Sequence, residues 1–223
     1  DIDIAVRRRE KGAEEFGELI KVIDLADKEQ LKESAFTMDP SMLVSDGKIF
    51  MLVDMFPAST GLGDNDNVNK ETAGTGYYEK DGKHYLELTS AEGVKYYADE
   101  KGDVYVKADD TKSNYTVVLT SEKQPFSDLG DLYKDGEKIG NIYLKDAELK
   151  IKKTAYLWLT VSEDDGKTWS SPIDLTPQVK ADWMKFIGTG PGTGLKLQNG
   201  RLVFPIYFTN GFRQLSSALI YSD

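Results

Sequence analysis

The sequence predicts an all-β fold, and three observations carry that expectation. Strand-length apolar runs recur along the chain, Asp-Gly turns punctuate them, and one tight turn, Ser162-Glu163-Asp164-Asp165-Gly166-Lys167-Thr168-Trp169, closes on a tryptophan. Residues 2–7 alternate like a strand, and residues 49–54 follow the hairpin turn Ser45-Asp46-Gly47-Lys48. Between about residues 70 and 153 charge density rises, and short strands alternate with the turns Lys80-Asp81-Gly82-Lys83, Glu100-Lys101-Gly102-Asp103 and Lys134-Asp135-Gly136-Glu137. The strands expected there are 83–89, 94–98, 103–108, 114–120, 138–144 and 147–153, which read as a small antiparallel β subdomain. Residues 155–161, 201–208 and 215–221 are further strands. Asp27 to Ser34 is the best helix candidate, and Gly61 to Asn67 reads as the flexible way into the subdomain.

Composition narrows the function classes. The 223 residues are 39% hydrophobic and 30% charged, which marks a globular chain. A net charge of -10 argues against nucleic acid or an anionic membrane as partner, although a local arginine cluster can still hold a small anion. With no cysteine there is no disulfide frame, thiol catalysis or zinc-cysteine site. No apolar run approaches the ~18 residues of a membrane span. Both ends stop in mid-pattern, at Asp1-Ile2-Asp3-Ile4 and at Leu219-Ile220-Tyr221-Ser222-Asp223, so the chain is expected to be part of a larger protein.

The 162–169 turn has a physical logic. Asp and Ser side chains bond backbone one or two residues on and lock a tight turn. Gly166 takes a positive φ at no steric cost, and Trp169 returns a large ring to the core. The reading is architectural, not catalytic. Ser162, Asp164, Gly166, Thr168 and Trp169 resemble the Asp-box of sialidases and related β-propellers, which repeats from blade to blade. Arg9-Glu10-Lys11-Gly12-Ala13-Glu14-Glu15-Phe16 has the frame of a degenerate copy, and Tyr221-Ser222-Asp223 is the start of a third. Ser162 to Ser222 is 60 residues, about one blade, whereas Arg9 to Ser162 is 153 residues, far more than a repeat of roughly 40–50. An insertion must lie between them, where the composition had already changed.

The resemblance extends to Asp1 through Arg8, to Val53-Asp54-Met55-Phe56-Pro57, and to the run from Trp183 to Gly194 and from Asn199 to Asn210. These are similar to the central part of secreted bacterial sialidases (neuraminidases), and among them to the sialidase B, or intramolecular trans-sialidase, type of Gram-positive bacteria. The resemblance implies a partial six-bladed β-propeller with an inserted small antiparallel β subdomain. Residues 1–69 would supply the first propeller part, 70–153 the insertion and 154–223 the continuing blades. An open set of blades leaves unpaired edges, so the segment is not expected to be a stable enzyme alone. Its partners would be the remaining propeller segment and sialylated glycans.

A sialidase holds a carboxylated sugar with arginine forks and attacks with a tyrosine, assisted by a glutamate and an aspartic acid/base. The chain has five arginines, Arg7, Arg8, Arg9, Arg201 and Arg213, and none lies in the family's Arg-Ile-Pro motif. Arg7 to Arg9 read as blade-surface charges. The resemblance places the catalytic groups outside residues 1–223, and neither Asp1 nor Asp3 is assigned as the acid. It offers substrate contacts instead. Asp54 ends an apolar strand and either accepts a ligand N–H, as the family's aspartate beside the N-acyl group does, or caps a turn. Tyr207 either lines the sugar pocket or packs in its strand, and Gln214 is a further pocket candidate.

Other motifs carry less. Gly188-Thr189-Gly190-Pro191-Gly192-Thr193-Gly194 lacks the Gly-Lys-Ser/Thr of a phosphate loop and precedes a strand, so it reads as a tight loop. His84, the single histidine, reads as structural, and Asp64-Asn65-Asp66-Asn67 as a solvated loop. No metal or cofactor is expected. Tyr77, Tyr78, Tyr96 and Tyr97 offer stacking faces but read better as packing of the subdomain. The expected function is a secreted or cell-surface exo-α-sialidase with a retaining tyrosine nucleophile, releasing sialic acid or, by internal transfer, an anhydro sugar. The alternative is a non-catalytic Asp-box propeller or glycan-binding module.

Overall fold

The computed structural model describes residues 2–25, 34–60, 73–209 and 214–222. The proposed helix falls almost entirely outside these residues, as do the 61–67 segment with its acidic run, Asp1, Arg213 and Asp223. Strands β1 (Ile4–Arg7) and β2 (Leu19–Ile23) pair antiparallel. The loop joining them contains the degenerate turn, where Ala13 N–H donates to the Glu10 carbonyl and Gly12 takes a φ of 86°. Its Phe16 stays 60% exposed beneath the Arg9 guanidinium, so it buries no ring as Trp169 does.

Strands β3 (Phe36–Ser45) and β4 (Lys48–Phe56) form the next hairpin. Asp46 and Gly47 both take positive φ, 51° and 75°, as an Asp-Gly hairpin turn requires. The sequence signals the turn but not all of β3. Its Asp39-Pro40 pair sits at a register shift between Met38 and Ser41, where a bulge accommodates a proline that no regular ladder would take.

The insertion supplies β5 (Tyr77–Lys80), β6 (Lys83–Ser90), β7 (Lys95–Ala98), β8 (Asp103–Val106), β9 (Lys112–Val117), β10 (Asp131–Lys134), β11 (Glu137–Asn141) and β12 (Leu149–Ile151). They make one sheet in the order β11-β10-β9-β8-β7-β6-β12, with β5 also paired to β6. The expected 103–108 and 147–153 strands are shorter than their alternation suggests, and 114–120 is shifted toward its start. The sheet turns back on itself, so that Ile151 N–H reaches the carbonyl of Ile142 just beyond β11.

The chain then returns through β13 (Tyr156–Ser162), β14 (Ile173–Asp174), the single-turn helix α1 (Thr176–Val179), β15 (Phe186–Gly188), β16 (Gly192–Thr193), β17 (Leu195–Lys196), β18 (Leu202–Thr209) and β19 (Leu215–Ser222). β13 pairs with β4 across the insertion, giving a central sheet in the order β14-β13-β4-β3-β16. β15, β18, β17 and β19 form the last sheet. The 188–194 loop stitches these two sheets together. From β15 it crosses to lay β16 parallel to β3, Gly194 N–H donates to the Met42 carbonyl, and β17 returns to β18.

The central sheet buries both faces. On one side Met51, Val53, Met55, Tyr156 and Trp158 share a core with Ile4, Val22 and Ile23 of the first sheet and with Leu88, Val104, Leu132 and Leu149 of the insertion. On the other, Leu52 and Leu157 pack against Ile187, Phe204 and Ile206 of the last sheet. The insertion therefore has its own sheet but no separate core. Gln124 joins three parts of the molecule. Its amide donates to the Lys21 carbonyl, and its oxygen accepts from the Trp169 backbone N–H at 3.0 Å.

The Asp-box turn locks itself. Ser162 Oγ accepts from Gly166 N–H at 2.8 Å and donates to Asp164 Oδ1. Asp164 also accepts from the Thr168 N–H and hydroxyl and from Lys167 N–H. Asp165 and Gly166 supply the positive φ, and the Trp169 ring is buried. Arg8, read from sequence as a surface charge, donates its Nε to the Asp165 carbonyl and so clasps the first loop to this turn. The Thr168 bonds first, then those of Ser162 and Lys167, hold the Asp164 carboxyl down at about 2. A depressed carboxylate stabilises the fold above its unfolded value of 3.8 and loses that contribution as pH falls toward 2. Asp164→Ala should therefore lower Tm at pH 6–7, with the deficit shrinking as pH falls through that acid window. A pH series of thermal melts checks this, and an equal deficit at every pH would contradict it.

Candidate functional site

β4 is the most enclosed strand of the molecule, with every residue from Met51 to Ala58 buried. Asp54, in the middle of that run, is 1% exposed. Alternation sends Met55 toward the insertion and Asp54 toward the last sheet. There Asp54 Oδ1 accepts the Thr189 backbone N–H at 2.7 Å, which anchors the Gly188-Thr189 turn. Its other oxygen, Oδ2, is shut from solvent and has no hydrogen-bond partner among the described residues. Asp54 does not end its strand as the sequence suggested, since β4 runs on to Phe56; it holds the distant Gly188-Thr189 turn instead, and one carboxyl oxygen keeps its bonding capacity.

Gly188 makes this contact possible. A Cβ there would lie 2.3 Å from Asp54 Oδ2 and 2.4 Å from the Phe186 ring. Gly188 is also the register partner of Tyr207 on β18, so the missing side chain leaves room for carboxyl and phenol together. The Tyr207 ring stacks at a tilt on Phe186, 4.9 Å between centroids, beside Phe36, Met38 and Phe56. It is half-buried, and its hydroxyl makes no hydrogen bond among the described residues. Gln214 is exposed at the start of β19, at the same end of the β18–β19 hairpin as Thr209.

The electrostatics explain how these groups coexist. Burial pushes the Asp54 carboxyl up to about 8; the Thr189 N–H opposes the rise and the nearby Asp39 charge adds to it. Burial, then Asp54 and Asp39, raise the Tyr207 phenol to about 12. At neutral pH Asp54 is therefore a protonated acid with a spare oxygen. Asp39 is a member of this cluster that the sequence does not single out. Met38 lies opposite Asp54 in register, and the bulge that follows holds Asp39 at a φ of 54°, a left-handed conformation uncommon outside glycine. An Asp-Pro pair in a strand was the available signal. Lys180 is another buried ionisable group that the sequence does not single out. It is buried against Thr154 Oγ1 and the Ala155 carbonyl, and burial, then Lys152, lower it to about 7.

The tyrosines weighed as stacking faces divide. Tyr97 is buried in a ladder with Tyr78, Tyr85 and Tyr105 at 5.2–5.5 Å, and Tyr96 packs edge-on against Tyr115. Tyr77 instead turns toward the central sheet and donates its hydroxyl to Asp174 Oδ2 at 2.9 Å. His84 lies exposed on β6.

Two substitutions test the cluster. Gly188→Ala should cost about 1–3 kcal/mol, because the new methyl must displace Asp54 and the Phe186 ring; denaturant unfolding measures it. Asp54→Asn tests the buried carboxyl. A folded value raised from 3.8 to about 8 favours the fold at low pH, and that contribution drains away as pH rises between those values. The Asn variant should gain on the parent across that window, by a few kcal/mol (order of magnitude) at pH 9. Lys180 tilts the parent curve the other way, so the readout is the difference between variant and parent at each pH.

Comparison with known proteins shows what the chain is similar to. The family model described as BNR repeat-like domain matches residues 98–223. The chain is 28% identical over 203 residues to the anhydrosialidase of Macrobdella decora, covering 80% of this chain and 26% of that one. It is 29% identical over 208 residues to sialidase B of Streptococcus pneumoniae, covering 84% and 29%. The chain thus spans less than a third of the length of these curated relatives. Its fold superposes on the intramolecular trans-sialidase of Ruminococcus gnavus with a TM-score of 0.75 and 23% identity, over 97% of this chain and 53% of that one. With more than half of its residues matched by that model, the chain belongs to the BNR repeat-like domain family.

Proposed function

We propose that these residues form part of a six-bladed β-propeller sialidase that removes terminal α-linked sialic acid from glycoconjugates. The observation that carries this is the Asp54–Gly188–Tyr207 cluster, in a chain similar over four-fifths of its length to an anhydrosialidase and a sialidase B. The face-to-face stacking of the first, central and last sheets supports a propeller, because each sheet packs on the next in chain order. Exposed Leu215, Leu219 and Tyr221 on β19 give a further blade an apolar face to cover. The remaining propeller segment is accordingly a proposed partner. A secreted or cell-surface location is part of the same proposal, and among the described residues no helix is long and apolar enough to cross a membrane.

In this reading the chain shapes and orients the sugar, and the catalytic tyrosine, glutamate, acid/base and arginines come from elsewhere in the protein. The Tyr207 hydroxyl, unbonded among the described residues, offers a donor to the bound sugar, with Gln214 at the rim. Asp54 Oδ2 takes the N-acyl N–H once the Gly188-Thr189 turn opens. An N–H donor favours the ionised carboxyl, so binding releases the proton that burial retains. The retaining, tyrosine-linked intermediate passes either to water or to the sugar's own hydroxyl, which would give the anhydro product.

A fluorogenic α-sialoside assay on the intact protein tests the reading. Cleavage is expected, and chromatography of the released sugar separates hydrolysis from anhydro formation. Tyr207→Phe should raise KM about tenfold with kcat little changed, the signature of lost uniform binding. Absence of cleavage by the intact protein would favour a non-catalytic glycan-binding propeller.

A further inference from the structure

A cleft of about 310 Å³ opens between the insertion sheet and the central sheet. It lies on the opposite face of β4 from Asp54, since Met55 lines it. Its walls are apolar and aromatic, with Tyr77, Leu86, Tyr143, Ile151 and Tyr156 among the lining residues and Ile173 exposed at the mouth. Two neighbouring rings are fixed, Tyr143 edge-on to Trp158 at 5.9 Å, and Tyr156 through its hydroxyl to the Lys152 carbonyl at 2.8 Å.

The carboxyl groups in the cleft are each held by the fold but keep lone pairs. Asp174 Oδ2 accepts the Tyr77 hydroxyl, while Oδ1 accepts the Thr176 N–H. The Tyr143 side chain is more than nine-tenths buried and lines the cleft. Asp99 and Glu100 also line the cleft; Asp99 Oδ1 accepts the Lys101 and Asp103 N–H groups and Glu100 Oε1 pairs with Lys83, and among the described residues no lysine or arginine lines the cleft.

We infer that this cleft is a second glycan subsite and that it takes an uncharged pyranose. Its volume suits a ligand of monosaccharide size. Aromatic and aliphatic walls pack on the C–H face of a sugar ring, the remaining lone pairs of the three carboxyl groups accept its hydroxyls, and no lysine or arginine among the described lining residues draws an acidic sugar. The cleft is built from the insertion on one side and β13–β14 on the other, so it gives the insertion a role in holding a neutral sugar. It stands independently of the sialidase reading.

The test is titration of the intact protein with methyl β-D-galactopyranoside, methyl α-D-glucopyranoside and methyl α-D-mannopyranoside, followed by saturation-transfer NMR, with methyl α-sialoside as the anionic control. At least one neutral glycoside should bind. Tyr143→Phe, which removes a single hydroxyl, should weaken it about fivefold. Ile173→Trp, which fills the mouth from an exposed position, should abolish it, and Asp54→Asn should leave it unchanged. Binding by none of the three, binding unmoved by both cleft variants, or loss of sialoside binding alone in Ile173→Trp would each overturn the proposal.

Discussion

Everything in this molecule leans on a strand with no solvent-facing side. β4 presents Met51, Val53 and Met55 to the first sheet and the insertion, and Leu52 and Phe56 to the rest of the core. Such a strand fixes its register absolutely, because a one-residue slip would exchange both sets of partners at once. It also leaves no cheap place for an ionisable group. That Asp54 nevertheless stands there, its carboxyl driven toward the neutral form and bonded to Thr189, marks the position as one where the fold tolerates a cost. The Gly188-Thr189 turn, the glycine that must lack a side chain and the Tyr207 phenol are all arranged around that carboxyl.

The insertion follows from the same constraint. It leaves the chain after β4 and returns at β13, and these two strands pair along their full facing lengths. The central sheet is thus completed only across an eight-stranded excursion. The excursion is bound in by a shared core and by Gln124, which touches Lys21 on one side and Trp169 on the other. The insertion is accordingly a wall of the molecule, and the cleft it forms with β13 and β14 is a consequence of that placement.

Much of this was legible in the sequence. The strands 2–7, 49–54, 155–161, 201–208 and 215–221 are all present within a residue or two of each end, because apolar alternation between turn residues is a local signal. The Asp-box turn forms the bonds its residue types allow. What was not legible depends on tertiary pairing. β14 to β17 are strands of two or three residues held only by their neighbours. β3 hides behind Asp39-Pro40, which reads as a break until a bulge is seen to absorb it. For the site, a lone acid in the run Phe50-Met51-Leu52-Val53-Asp54-Met55-Phe56 pointed to Asp54. Asp39, Gly188 and Lys180 became visible only when the sheets were brought together. Arg8 is a surface charge as read, but its bond to Asp165 could not be seen from sequence, since that acceptor lies 157 residues away.

The most direct measurement is a carboxyl-carbon NMR titration of Asp54 in the intact protein, with Asp54→Asn assigning the signal. The account predicts a midpoint near 8, with the resonance unmoved through the acid range where exposed carboxylates titrate. A midpoint at or below the ordinary aspartate value would mean that the carboxyl is ionised and solvated at rest. The enclosed β4 strand, and the site arranged around it, would then be wrong.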